Sequence, residues 1–216
     1  MHELLNTGSK PGEPPIELYV KQQHELAEFF GFETRNKYAV QTKQGHAVAF
    51  IAEQQKGLFG FLFRQWLGHW RRFTLSVFDN NRQLCFTVKH PFRFFFTRLE
   101  VYDTQNVFVG AIQKRFSIFT KSFDLEDPRG NVLLEVRSGF FSIWTFKFKR
   151  RDREVARIEK KWGGLLTELF TDKDSFKISF QDPELSAVEK TLILIASIYV
   201  DLVYFELHAN KKRDSD

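Results

Sequence analysis

The chain has 216 residues, 43% of them hydrophobic, enough for one sizeable core without help from disulfides or metal. Its single cysteine, Cys85, excludes an intramolecular disulfide and any cysteine-based metal cluster, and fits a reducing compartment. A net charge of +5 points to an acidic partner, either anionic lipid or nucleic acid, without choosing between them.

Residues 1–15 end in Pro11-Gly12-Glu13-Pro14-Pro15 and read as a short disordered lead with no apolar run of a secretory signal. From Ile16 to Phe30 the apolar positions fall at 16, 19/20, 26/27 and 30, a spacing that predicts an amphipathic helix. After Gly31 the period changes to two. Alternating runs at 38–45 and 46–51, 73–79 and 84–88, 99–103 and 107–112, 123–126 and 132–136, and 145–149 and 155–158 are joined by Asn-, Gly- and Pro-bearing turns. Phe176 to Phe180 adds a further alternating strand. About ten to twelve antiparallel strands are expected, mainly β in class, and closing them into a barrel would remove their edges.

Thr191 to Leu207 is apolar on nearly every side. Such a stretch is a helix buried all round or a membrane span. The segment is short, and Lys190, Leu194, Ser197 and Asp201 form a narrow polar stripe, so a helix threading a barrel is favoured. The domain is therefore drawn from 16 to 208, with a charged tail at 209–216 whose Lys211, Lys212 and Arg213 are expected at the surface.

Several ordered motifs together resemble the phospholipid scramblase family. Gln22-Gln23-His24-Glu25-Leu26 leads into Gly31-Phe-Glu-Thr-Arg-Asn-Lys-Tyr38; Ile158-Glu-Lys-Lys-Trp162-Gly-Gly follows; then Phe170-Thr-Asp-Lys-Asp-Ser-Phe176-Lys-Ile-Ser-Phe180. The apolar helix with Asp201 and the closing Tyr204-Phe205-Glu206 is similar too. The resemblance covers roughly 15–207. It implies a Tubby-like fold, related to LURP-one-related proteins: a twelve-stranded barrel wrapped on a hydrophobic helix. It further implies calcium-stimulated movement of phospholipid between leaflets, peripheral membrane association on the cytoplasmic side, and the plasma membrane as the location.

The chain departs from that pattern where the family carries cysteines for lipid attachment. Here the corresponding stretches hold Phe61, Phe63, Arg64, Trp66, Trp70 and Arg71, then Phe94, Phe95 and Phe96, and finally Phe141 and Trp144. Aromatic insertion beside arginines would replace the acyl anchor at an anionic lipid surface. The alternative is that these rings face into the barrel, as the alternation of Phe59, Phe61 and Phe63 allows. For calcium the resemblance implies Asp172, Asp174 and Asp182, but Lys173, Lys177 and Pro183 interrupt the acidic run and no EF-hand spacing is present. A solvated turn carrying two acids is the competing reading. Lys160 and Lys161 are expected on a basic surface with the tail cations.

The six histidines have no metal-ligand spacing, and no phosphate loop, dinucleotide fingerprint or nucleophile elbow occurs. Bond-making chemistry is not expected. Three functions remain open at this stage: a lipid scramblase, a peripheral tether or phosphoinositide sensor, and nucleic-acid binding, for which no base-reading motif accompanies the short basic runs. The oligomeric state is not legible from the chain.

Overall fold

A computed structural model describes residues 15–22, 37–54, 73–91, 96–118, 120–139, 142, 144–161 and 175–205. Twelve antiparallel strands follow one another: β1 Ile16–Gln22, β2 Lys37–Thr42, β3 Ala47–Gln54, β4 Phe73–Asp79, β5 Leu84–His90, β6 Arg98–Asp103, β7 Phe108–Lys114, β8 Lys121–Glu126, β9 Val132–Ser138, β10 Thr145–Arg150, β11 Arg153–Lys161 and β12 Ser175–Phe180. Each pairs with its neighbours in sequence, and β1 pairs with β12 as well as β2, so the sheet closes into a barrel. Closure leaves no strand edge unpaired.

The five expected hairpins are present. In β2–β3, β4–β5, β6–β7 and β8–β9 the tight turns share one device. A residue in the left-handed region closes each: Gly45, Arg82, Asn106 and Gly130 have φ of 85°, 62°, 60° and 85°. Their amides donate to the carbonyls of Thr42, Asp79, Asp103 and Asp127 at 3.0 to 3.1 Å. In three of them the aspartate Oδ1 also accepts from backbone amides two and four residues on. A pairing irregularity sits next to each of these turns, as a turn closed by a left-handed residue requires.

The helix expected from residue 16 is not there. Ile16–Gln22 is a strand, with Leu18 and Val20 facing the core. Pairing with both β2 and β12 offers a full hydrogen-bond ladder on each side, which outweighs the weak local helical spacing. Residues 23–36 lie outside the described residues.

Helix α1, Ala187–Val200, runs through the barrel and continues as a π-helical turn, Asp201–Phe205. It starts four residues before the expected Thr191, because Ser186 and Glu189 form a reciprocal capping box. Every helix residue from Glu189 to Val200 is buried. This explains the lack of a polar face: each side meets barrel wall, and burying a Leu or Ile side chain stabilises by about 1.5–3 kcal/mol. At 1.5 Å per residue the helix is roughly 21 Å long. No helix among the described residues is long and apolar enough to cross a membrane.

Among the described residues, six phenylalanines, at 86, 123, 146, 148, 176 and 180, are buried. Phe123 sits edge-on to both Phe148 and Tyr199 of the helix, at 6.0 and 5.2 Å between centroids. β7 approaches the helix through Gly110. A Cβ there would stand 2.6 Å from the Glu126 carbonyl oxygen and 3.1 Å from Leu192 Cδ1.

Candidate membrane-facing site

Because the strands run up and down in order, successive connections alternate between the two ends of the barrel. One end, the turn pole, carries the five tight hairpin turns and the start of α1. The other, the loop pole, receives every remaining connection: 23–36, 55–72, 91–97, 115–120, 139–144 and 162–174 join strands that end there. The helix also exits there, since Asp201 contacts residues at the loop-pole ends of β2 and β11.

Charge follows the same division. The two terminal residues of each strand at the loop pole include Lys21, Lys37, Lys89, Arg98 and Lys114, and then Lys121, Arg137, Lys160 and Lys161. Glu53 is the acid among them, giving nine basic residues against one. The matching positions at the turn pole hold three basic residues (Lys149, Arg150, Arg153) against five acids (Glu17, Asp79, Asp103, Glu126, Glu154). The strand ends are thus richer in basic residues at the loop pole, where Lys37 and Lys160 are buried, while Lys89 reaches Asn106 of the turn pole and Glu126 pairs with Arg98 and Arg115.

Between the poles, carboxylates on the outer wall hold several arginines in fixed positions. Asp124 accepts from Arg115 at 2.5 Å and Arg137 at 2.6 Å, and Glu126 accepts from Arg98 and Arg115 at 2.6 Å. The hydrogen bond that Arg115 donates to Asp124 raises its guanidinium above the ordinary range. Beneath the loop pole, burial holds the Lys121 ammonium below the usual lysine range, with the Phe146 ring 5.3 Å away.

Large apolar side chains are exposed on the same pole. Phe116 and Ile118, in the β7–β8 connection, are 75% and 74% exposed, and Phe96 beside β6 is 38% exposed. At the turn pole Leu84, Val107 and Val132 are exposed as well, Val107 the most at 55%.

A family model described as Scramblase matches residues 16–207, which is nearly the whole barrel and its helix. The chain belongs to the scramblase family. It is similar to Phospholipid scramblase 1 of Mus musculus, with 30% identity over 92% of this chain and 64% of the mouse protein. Phospholipid scramblase 2 of Bos taurus is 30% identical over 88% of this chain and 69% of that protein. A phospholipid scramblase family protein of Schizosaccharomyces pombe is 25% identical over 82% of this chain and 49% of its own length. An X-ray structure of a protein from Arabidopsis thaliana aligns over 88% of this chain and 91% of that chain, with 11% identity and a TM-score of 0.49.

In this scramblase-family barrel the residues singled out from sequence fall into several places. Phe96 is exposed at the loop pole, and Trp144 is half-buried in the β9–β10 connection at the same pole. Phe61, Phe63, Arg64, Trp66, Trp70, Arg71, Phe94, Phe95, Phe141, Asp172, Asp174, Lys211, Lys212 and Arg213 lie outside the described residues. Lys160 is not on the surface: it is buried, 3.7 Å from the Asp201 carboxylate and 5.2 Å from the Phe176 ring centroid. Lys161 ends β11 at the loop pole. Ser197 is buried and donates to the Leu194 carbonyl at 2.7 Å, which satisfies its hydroxyl within the helix. Asp201 accepts from the Tyr38 hydroxyl at 2.9 Å.

Asp182 lies at the turn pole. Its Oδ2 accepts from Arg153 at 2.6 Å and Arg150 at 3.3 Å, and its Oδ1 from the Glu184 amide at 3.0 Å. Arg150 continues to Glu189 at 2.6 Å, so the capping carboxylate of α1 joins the same cluster. A carboxylate held by two guanidiniums does not fit as a cation ligand. Among the described residues no group of three His, Cys, Asp or Glu is placed to hold a metal ion.

Sequence reasoning missed Phe116 and Ile118. The signal was available only through topology, since counting hairpins in a closed barrel puts 115–120 at the same end as the aromatic stretches at 55–72, 91–97 and 139–144.

Proposed function

We propose that this protein acts on phospholipid at a membrane surface without making or breaking bonds, moving lipid between leaflets from outside its barrel. The observation that carries the reading is the filled interior. Helix α1 is buried on all sides from Glu189 to Val200, so the barrel lumen holds no path for a headgroup. Lipid movement would then arise at the outer surface, where basic residues and exposed aromatic side chains lower the cost of bringing headgroups toward hydrocarbon. The family match and the names of the relatives support phospholipid as the substrate class.

In this reading the protein is a peripheral one, anionic lipid is its partner, and the cytoplasmic leaflet of the plasma membrane is its place of action. Calcium modulation rests on Asp172 and Asp174, with Asp182 committed to Arg150 and Arg153.

A second reading is favoured by the same filled interior: a lipid-binding tether or phosphoinositide sensor that needs only the basic pole. Dithionite quenching of fluorescent phospholipid in reconstituted, sealed vesicles separates the two. Quenching well beyond the outer-leaflet half is the expected result. Quenching that stops at the outer leaflet with protein bound leaves the tether. An unchanged rate on adding millimolar calcium removes Asp172 and Asp174 from the reading.

A further inference from the structure

We propose that the loop pole seats on the surface of an anionic phospholipid bilayer, with Phe116 and Ile118 at the tip of the β7–β8 connection inserted as its wedge. The inference rests on the reading that the chain works at phospholipid, and it deepens that reading by fixing which surface touches the bilayer.

Two independent observations carry it. Phe116 and Ile118 leave 75% and 74% of their surface in water, two residues apart, in a connection only six residues long between β7 and β8. Large apolar side chains held out this far cost solvation free energy unless something covers them. A connection this short, anchored on a closed sheet, gives them little room to fold back. At the base of that tip, Lys114 and Arg115 precede and Lys121 follows. Lys21 at the end of β1 and Arg137 at the end of β9 add further cations at this pole; Lys37 and Lys160 are buried, and Lys89 reaches Asn106 at the opposite pole.

A convex apolar tip flanked by Lys114, Arg115 and Lys121 matches a planar anionic surface. The flanking cations meet headgroups, while the tip passes between them into the acyl boundary. It does not match nucleic acid, which would use the cations but leave the isoleucine uncovered. Val107, the most exposed apolar residue of the opposite pole, follows a turn that opens on Asp103 and has no flanking pair of exposed apolar side chains. Seated this way, the barrel axis stands upright on the bilayer. The Asp201 end of the helix then lies nearest the lipid, and the Asp-bearing turns point away.

The test is co-flotation of the full chain with phosphatidylserine–phosphatidylcholine vesicles at fixed ionic strength, comparing wild type, the double variant Phe116→Ser with Ile118→Ser, and Val107→Ser. The double variant is expected to bind at least tenfold more weakly, with Val107→Ser unchanged. Both substituted sites are exposed, and circular dichroism checks that the barrel is intact. An environment-sensitive label on Phe116→Cys should shift to the blue with vesicles, and one on Val107→Cys should not; Cys85 is buried and stays unlabelled. Equal binding by the double variant, or a blue shift at position 107 and not at 116, overturns the proposal. So does retention of a single-stranded oligonucleotide with no vesicle binding. If wild type docks through Phe116 yet dithionite shows no transfer, docking stands and the scrambling reading falls.

Discussion

The Tyr38 hydroxyl donates a 2.9 Å hydrogen bond to Asp201, tying the start of β2 to the last turn of a helix 163 residues further along. Lys160 approaches the other oxygen of that carboxylate, at 3.7 Å. All three side chains are buried, so the pairing lies in a low dielectric where removing one charge leaves the other poorly solvated. Asp201→Ala should therefore destabilise by about 3 kcal/mol, and Tyr38→Phe by roughly 1 kcal/mol. Urea unfolding of the two single variants and the double variant measures this, and the losses should be less than additive. Strict additivity would mean the two groups act independently.

Gly110→Ala probes the fit between β7, β8 and the helix. The added methyl would meet the Glu126 carbonyl at 2.6 Å, a backbone atom that moves only with its strand. Overpacking of this kind costs roughly 1–3 kcal/mol. A thermal midpoint equal to that of wild type would show that β8 yields without loss.

Arg82 offers a gain. It adopts φ of 62° in the β4–β5 turn, where Gly45 and Gly130 serve the equivalent turns. Side chains with a Cβ are strained in that region, so Arg82→Gly should stabilise by about 0.5–1 kcal/mol. The Asp79 side-chain bonds to the amides of Asn81 and Gln83 stay available to the variant. A loss of stability would show that the arginine side chain matters more than its backbone strain.

The Glu17–Lys177 bridge between β1 and β12 makes closure of the barrel pH-dependent. Burial alone would raise the Glu17 carboxyl, but the hydrogen bond and charge of Lys177 outweigh it and hold the group below its ordinary 4.5. The same pair of strands carries Tyr19, whose hydroxyl is pushed up to about 12 by burial and by Glu17. A carboxyl lowered by folding contributes fully above about pH 4.5, and the contribution is lost as pH falls through the lower folded value. Lys177→Met should cost about 0.5–1 kcal/mol at neutral pH. The gap to wild type should close as pH drops toward 3, read from thermal melts across a pH series. A gap that stays constant with pH would remove the bridge from the account.

Asp182→Asn separates a structural carboxylate from a calcium ligand. Losing the charge that holds Arg150 and Arg153 should destabilise by roughly 1–3 kcal/mol. Any effect of calcium on lipid transfer should persist unchanged in the variant. A calcium response abolished by Asp182→Asn at full stability would restore Asp182 to the metal site.

Most of the barrel was legible because eleven of its twelve strands carry alternating apolar positions in sequence and the hairpins break at Asn-, Gly- and Pro-bearing turns. β10 shows why: Phe146 and Phe148 face inward with Lys147 outward between them. β1 was misread because Leu18, Tyr19 and Val20 are consecutive and all buried, which blurs period two. The helix start was misplaced because Ser186 and Glu189 act as a cap, and a cap shows as two polar residues among others. Lys160 looks like a surface cation in sequence, and only the arrival of Asp201 across the barrel explains its burial. The polar asymmetry of the barrel was out of reach, since it exists only once strand parity assigns each connection to an end.

Closure by β1 against β12, with α1 beyond them in the chain, also sets when this protein can be made whole. A nascent chain emerging from the ribosome holds its first strand without its last neighbour, and its wall without the helix that fills it. Until residues near 200 have emerged, the inward-facing Phe, Leu and Val side chains lack the helix against which they complete their packing. Folding therefore has to wait for the end of the domain, and chaperones are the natural guardians of the interval.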